Sequence, residues 1–217
     1  MTDDRFYMIG VIHRDHKAKD RLKQIVKSIN PELITLEFTN YGLTFRKKNY
    51  SSVKKKLIRI EATLSNLAQR EKIRNLLNFF ELPYEYVVAN SYAKEKGVPL
   101  YLVDMDFFSF FRLRYAKDLL KKENIRGILA NSDLLEIQRE RKMAEMFFNK
   151  GIKAFHYTED MRVRDEYVFR LIKRIIAENP GKKLVHICGW QHLSDPFGFF
   201  SELRPQKIYI YDKAFRI

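Results

Sequence analysis

Cysteine is almost missing from this sequence. A single residue, Cys188, in a chain of 217 leaves no partner for an internal disulfide and no second thiolate for a multi-cysteine metal site. Nothing in the cysteine usage asks for an oxidising compartment. No stretch approaches the roughly 20 apolar residues that span a bilayer. The acidic start Met1-Thr2-Asp3-Asp4 also lacks the basic segment and longer apolar run of a secretory leader, so the expectation is a soluble, cytoplasmic protein. Glycine and proline are scarce, at 8 and 6 residues, and form no linker. With no repeat in sight, the expectation is a single α/β domain over residues 1–217. A P-loop, a Rossmann glycine fingerprint, a Gly-x-Ser-x-Gly elbow and a metalloprotease helix motif are all absent, which removes the best-marked nucleotide, serine-hydrolase and zincin chemistries.

Apolar mass is ample. Hydrophobic residues make up 46%, enough for a real core, and 17 Phe with 12 Tyr can pack that core or line a cleft. Positive charge is also abundant, with a formal net of +14. Such charge attracts phosphates, but its spread over Lys47, Lys48, Lys54, Lys55, Lys56, Lys121, Lys122, Lys182 and Lys183 equally describes a solvated surface.

Short apolar runs alternate with helical patterns, the signature of βα units and a mainly parallel sheet. Strands are expected at 6–12, 33–38, 100–103, 183–188 and 207–211. Helices are expected at 20–29, 51–80, 84–96, 107–122 (with 132–149 as its partner) and 161–178. Asn30-Pro31, Pro83, Gly97-Val98-Pro99 and Asn179-Pro180-Gly181 act as stops. This layout puts His13, Glu37, Asp104 and Gly189 at or just past strand C-termini, where open parallel sheets bind ligands.

Gly10-Val11-Ile12-His13 and Gly189-Trp190-Gln191-His192 share one spacing. Chance predicts roughly 0.2 Gly-x-x-His occurrences for this composition. Two of them, each at a strand end, suggest backbone positioning by Gly10 and Gly189, and imidazoles that bind a metal or move a proton. Strand-capping histidines bonded to carbonyls are the plain structural alternative. Glu37 ends a strand of apolar residues, and a carboxylate there needs a cation or a partner. It reads as a metal ligand or general base, or as one half of an ion pair with a surface Lys or Arg. Glu85, in the first turn of its helix, complements the helix dipole or serves a site. Asp104 sits where a site residue would, and Asp106 where a helix cap would. Arg162, Arg164 and Asp165 open the helix 161–178. Arginine there opposes the dipole, which points to oxyanion or substrate binding, or to an Arg164–Asp165 pair. His186 reads as a core histidine, while His16 lies close enough to His13 to join it.

The order of these features resembles the TraB/TIKI/erythromycin-esterase superfamily, which includes ChaN-like proteins. Residues 8–13, then a helix, then Asn30-Pro31-Glu32-Leu33-Ile34-Thr35-Leu36-Glu37 look like its opening Gly-x-x-His and Pro-acid-strand-Glu. Glu85 with Ala89, Ala93, Gly97 and Asp104 is similar to its central block. Arg164-Asp165 resembles its late Arg-Asn or Arg-Asp, and Gly189 to Leu193 its closing Gly-x-x-His-Leu. The resemblance spans residues 8–193. It implies an α/β fold with both motifs and the acids facing one cleft. It further implies a metal-dependent hydrolase of peptidase or esterase type, acting on a peptide or small molecule. His13, Glu37 and His192 would hold a divalent Mn, Zn or Co ion or position a water. Glu37, Glu85 or Asp104 would act as base or further ligand, and Arg164 would stabilise the oxyanion. Arg162 and Trp190 are the expected substrate contacts; Trp190-Gln191 replaces small residues of the family and narrows the pocket. A metal-free version with the same residues as acid and base stays open. So do a haem- or anion-binding module without catalysis, a basic nucleic-acid binder (ranked last) and a homodimer. TraB-type members often carry C-terminal membrane helices, which this chain lacks.

Overall fold

The structure is a computed structural model that describes residues 5–130, 136–152 and 155–212, without the side chains of 136 and 137. In chain order it runs β1 (Phe6–Val11), α1 (Lys19–Ile29), β2 (Leu33–Leu36), α2 (Asn40–Ala62), α3 (Leu67–Phe80), α4 (Tyr84–Lys96), β3 (Leu100–Leu102), α5 (Asp106–Leu113), α6 (Lys122–Ala130), α7 (Glu136–Lys150), α8 (Glu159–Glu178), β4 (Leu184–Gly189) and β5 (Gln206–Tyr209). All pairings are parallel, in the order β3-β2-β4-β1-β5, so the fold is α/β on one parallel sheet. Its central strands β1, β2 and β4 are buried at every position but Tyr7, which is why they read as mostly apolar runs, broken only by Thr35 and His186, rather than as alternation. No helix among the described residues is long and apolar enough to cross a membrane.

Contacts divide the chain into two compact units. The first joins residues 1–38, 84–105 and 137–217 and contains the sheet; the second joins 39–83 and 106–136 and is helical. In the sheet unit α1 buries Leu22, Ile25, Val26 and Ile29. It ends at Asn30, whose left-handed backbone (φ 51) places its N–H on Val26 O at 3.0 Å, a common helix stop. Helix α4 is buried on most sides, including Tyr84, Tyr86, Val88, Ala89 and Tyr92. The Tyr84 hydroxyl donates to Ile12 O at 3.2 Å, just beyond the end of β1. The helical unit packs Val53, Leu57, Ile73, Leu76, Phe80, Leu113, Ala116 and Ile125 into a core of its own.

Several helical boundaries depart from the sequence pattern. The pattern expects one helix over 51–80; the chain instead starts α2 at Asn40 and breaks after Ala62. Thr39 caps the start by accepting from Gly42 N at 2.8 Å, and Asn66 restarts the chain as α3 by accepting from Ala68 N at 2.8 Å. Apolar spacing continues across the break, so only these caps reveal it. Residues 107–122 hold α5 and a short 3-10 turn, and the first residues of the helix expected at 132 lie outside the described residues.

Candidate functional site

Register decides which strand ends meet. Val11 lies opposite Gly189 and Leu36 opposite Ile187, so β1, β4 and β2 end side by side at the middle of the sheet. Two glycines let the ends come closer. A Cβ on Gly10 would stand 2.5 Å from Leu193 Cδ1 and 2.9 Å from the Trp190 Cα; a Cβ on Gly189 would stand 2.9 Å from His13 Nε2 and 3.4 Å from His192 Cδ2. The two Gly-x-x-His segments therefore interlock. The glycine of the first makes room for the turn of the second, and the glycine of the second makes room for the histidine of the first. Neither needs glycine for an unusual φ; each needs the missing side chain. Gly10→Ala drives a methyl into backbone at Trp190, and the expected loss is about 1–3 kcal/mol, as for other overpacked cores. Urea denaturation of the variant measures it.

His13 follows β1 on a turn closed by Asp15 N on Ile12 O at 3.2 Å, with Arg14 left-handed at φ 64. Asp15 is buried and anchors the turn. Arg141 from α7 grips it through two nitrogens, and the Tyr211 hydroxyl donates to it at 2.6 Å. The His13 imidazole is 50% exposed, yet its Nδ1 lies 2.9 Å from Oε1 of Glu85, whose side chain is only 3% exposed. A carboxylate accepts, so Nδ1 carries the hydrogen, and in the neutral ring Nε2 presents its lone pair. Desolvation works against the imidazolium, but the hydrogen bond and charge of Glu85, with Glu37 and Glu140 behind it, outweigh it and raise the His13 pKa. Glu85 Oε2 has no hydrogen-bond partner among the described residues. A half-satisfied buried carboxylate is destabilising by roughly 1–3 kcal/mol, so stability alone does not account for this glutamate.

The second group centres on Glu37. Its Oε1 takes Arg164 Nη2 at 2.5 Å and lies 3.1 Å from His192 Nε2; its Oε2 accepts Gly189 N at 2.8 Å. Arg164 also clasps Asp104, with Nε to Oδ1 at 3.0 Å and Nη2 to Oδ2 at 2.8 Å. The other nitrogen of His192, Nδ1, lies 2.5 Å from Asp165 Oδ1, and the Tyr157 hydroxyl donates to Asp165 Oδ2. Burial would disfavour both charges of the Glu37–His192 pair. Mutual attraction, reinforced by Arg164 and Asp165, overrides it: Glu37 is held well below the ordinary carboxylate value and His192 is pushed up to about 10.

Of the residues singled out in the sequence, the structure joins Gly10, His13, Glu37, Glu85, Asp104, Arg164, Gly189 and His192 through these contacts. Arg162 is not among them. It pairs with Glu159 and Glu166 along its own helix. The dipole argument for both arginines also fails, because α8 starts two residues earlier than expected, with Thr158 as cap and Glu159 and Asp160 in the first turn. Trp190 is 2% exposed and packs against Phe147, Phe148 and Phe155, so its indole fills core and is not a surface for substrate. Asp165 turns away from a pair with Arg164 and faces His192. Asp106 accepts from Tyr41 N at 2.8 Å, capping α2 from elsewhere in the chain. His186 is buried with its Nδ1 3.0 Å from the Thr35 hydroxyl, and burial pushes its pKa down to about 4. Sequence reading passed over Asp15, Arg141, Tyr157 and Tyr211. Only Asp15, inside His13-Arg14-Asp15-His16, carried a hint.

His13, Glu37 and His192 have the atom types a divalent cation takes, but as arranged they do not fit one. Glu37 Oε1 is already engaged by Arg164 and His192, and each ring nitrogen of His192 already faces a carboxylate oxygen, of Glu37 and of Asp165. No three His, Cys, Asp or Glu side chains among the described residues converge as a coordination shell. Comparison with family models, with curated proteins and with solved structures finds no match to this chain.

Proposed function

We propose that the chain is a hydrolase of the esterase or peptidase class in which His13, oriented by Glu85, is the general base. The observation that carries this reading is the His13–Glu85 pair: a half-exposed imidazole, its free Nε2 beside Gly189, backed by a buried carboxylate with no other partner among the described residues. In the proposed reaction Nε2 takes a proton from water as its oxygen adds to a carbonyl carbon. The imidazolium then returns that proton to the departing alkoxide or amine. Arg164 Nη1, which holds no carboxylate among the described residues, is the donor for the carbonyl oxygen as it gains charge. The His192–Glu37–Asp165 group fixes Arg164 and Gly189 and takes no proton in the cycle.

The resemblance to the TraB/TIKI/erythromycin-esterase superfamily supports the reaction class. The engaged state of Glu37 and His192 supports the metal-free version. Activity of the purified chain on p-nitrophenyl esters and on peptide amides tests both parts, with and without chelator. His13→Ala is expected to lose about 10²–10⁴-fold in kcat/KM. Hydrolysis that survives this change removes the base, and activity abolished by chelator and restored by Mn or Zn removes the metal-free version.

A further inference from the structure

Helix α5 carries an aromatic face that its own unit leaves in solvent. Phe107, Phe110 and Phe111 recur at i, i+3 and i+4, and Tyr115 follows one turn on. They are 62%, 44%, 44% and 62% exposed. The same segment turns Leu113 and Ala116 into the core of the helical unit, and of the exposed rings Phe110 alone reaches back, meeting Tyr41 edge to face at 5.6 Å. Exposed apolar residues are ordinarily scattered, and a contiguous group marks an interaction surface. Arg112, Arg114 and Lys117 are exposed on the same segment. Arg114 lies over Phe111 and Tyr115, with its guanidinium carbon 4.6 and 4.5 Å from their centroids. The acidic residue that starts the helix, Asp106, is already bonded to Tyr41 N.

We propose that this face docks on a membrane surface carrying anionic headgroups, with Phe107, Phe110, Phe111 and Tyr115 entering the acyl boundary and Arg112, Arg114 and Lys117 meeting the phosphates. Charge complementarity selects an anionic partner, since the chain carries a net +14. Ring geometry selects a membrane over stacked nucleic-acid bases. Phe111 meets Phe107 at 63° and Phe110 at 84°, edge to face, and Arg114 covers it and Tyr115, so few ring faces are free for bases. Insertion into an apolar boundary needs exposed hydrocarbon and basic flanks, and no shared ring plane. The contact is peripheral, because no helix among the described residues could cross a bilayer. It stands independently of the hydrolase reading.

Co-sedimentation of the full chain with vesicles of phosphatidylcholine and phosphatidylserine, against phosphatidylcholine alone, tests it. Binding is expected on the anionic vesicles and is expected to weaken as salt rises. Phe107→Ser combined with Phe111→Ser is expected to reduce it by about tenfold or more with an unchanged melting temperature, since both rings are exposed. Arg114→Glu is expected to reduce binding only where phosphatidylserine is present. Four results overturn the proposal: no binding to anionic vesicles; binding that the Phe variant leaves intact; a vesicle-free dimer that this variant abolishes; and oligonucleotide binding lost in the variant without any vesicle binding.

Discussion

Glu85→Gln is expected to lower kcat/KM by about 10²-fold or more and to move the rising limb of the pH–rate profile to lower pH. The swap keeps size and can keep a hydrogen bond, so the fold should stand. It removes the negative charge that raises the pKa of His13. A general base works when unprotonated, so activity rises as pH passes through its pKa. With Glu85 present that limb lies above the ordinary histidine value of 6.5; without its charge the limb falls back towards it. The rate falls because the amide can offer either oxygen or nitrogen to Nδ1, and the wrong choice leaves the hydrogen on Nε2, where the lone pair is needed. A rate loss alone would equally follow from a loosened loop. The joint shift of the limb is what a merely structural glutamate would not produce. An unchanged limb ends the assignment of His13 and Glu85 as base and orienting carboxylate.

Glu37→Gln is expected to destabilise the chain by about 3–5 kcal/mol, because it takes from two buried cations, Arg164 and His192, the carboxylate they share and leaves each with one, Asp104 and Asp165. The fall in melting temperature should be roughly 10 °C for a chain of this size. Thermal unfolding across pH checks the electrostatic origin. Glu37 is depressed in the folded chain, so its stabilising effect is present above its ordinary value of 4.5 and fades as pH drops through the lower folded value. His192 is raised, so its effect is complete below 6.5 and is lost as pH climbs through about 10. Stability should be greatest between those two ordinary values and decline on either side. In Glu37→Gln the alkaline decline should end at a lower pH, since the main charge holding the His192 proton is gone. Equal melting curves for both proteins, at every pH, would show that the Glu37–His192–Arg164 group contributes nothing to the fold.

The sheet was legible because central parallel strands buried on both faces leave short, mostly apolar runs, as β1, β2 and β4 do, while the edge strands β3 and β5 are partly exposed. The helices of the sheet unit were nearly as legible. Helix α4 runs over the residues its pattern and Pro83 indicate, and α1 ends at the residue that Asn30-Pro31 marks. The helical unit was less so. Hydrophobic spacing passes through residues 63–66 without interruption, and the division at Asn66 depends on one side chain turning back to its own backbone. The two compact units carry no mark in the sequence for a similar reason: the second is made from two separate stretches of chain and has no linker of distinctive composition.

The α/β class, the two Gly-x-x-His segments and the strand-end positions of His13, Glu37, Asp104 and Gly189 can be read along the chain. These depend on local hydrophobic period and on residue identity at a strand terminus, and both are written in neighbouring residues. Which acid faces which histidine, that Arg162 stays on the surface, that Trp190 fills the core, and that Asp15, Arg141, Asp165 and Tyr157 support the site emerge only once the chain is folded. Those pairings join residues far apart in the chain, 152 positions in the case of Glu37 and Gly189. They follow from strand order and register, and a one-dimensional pattern does not carry that information.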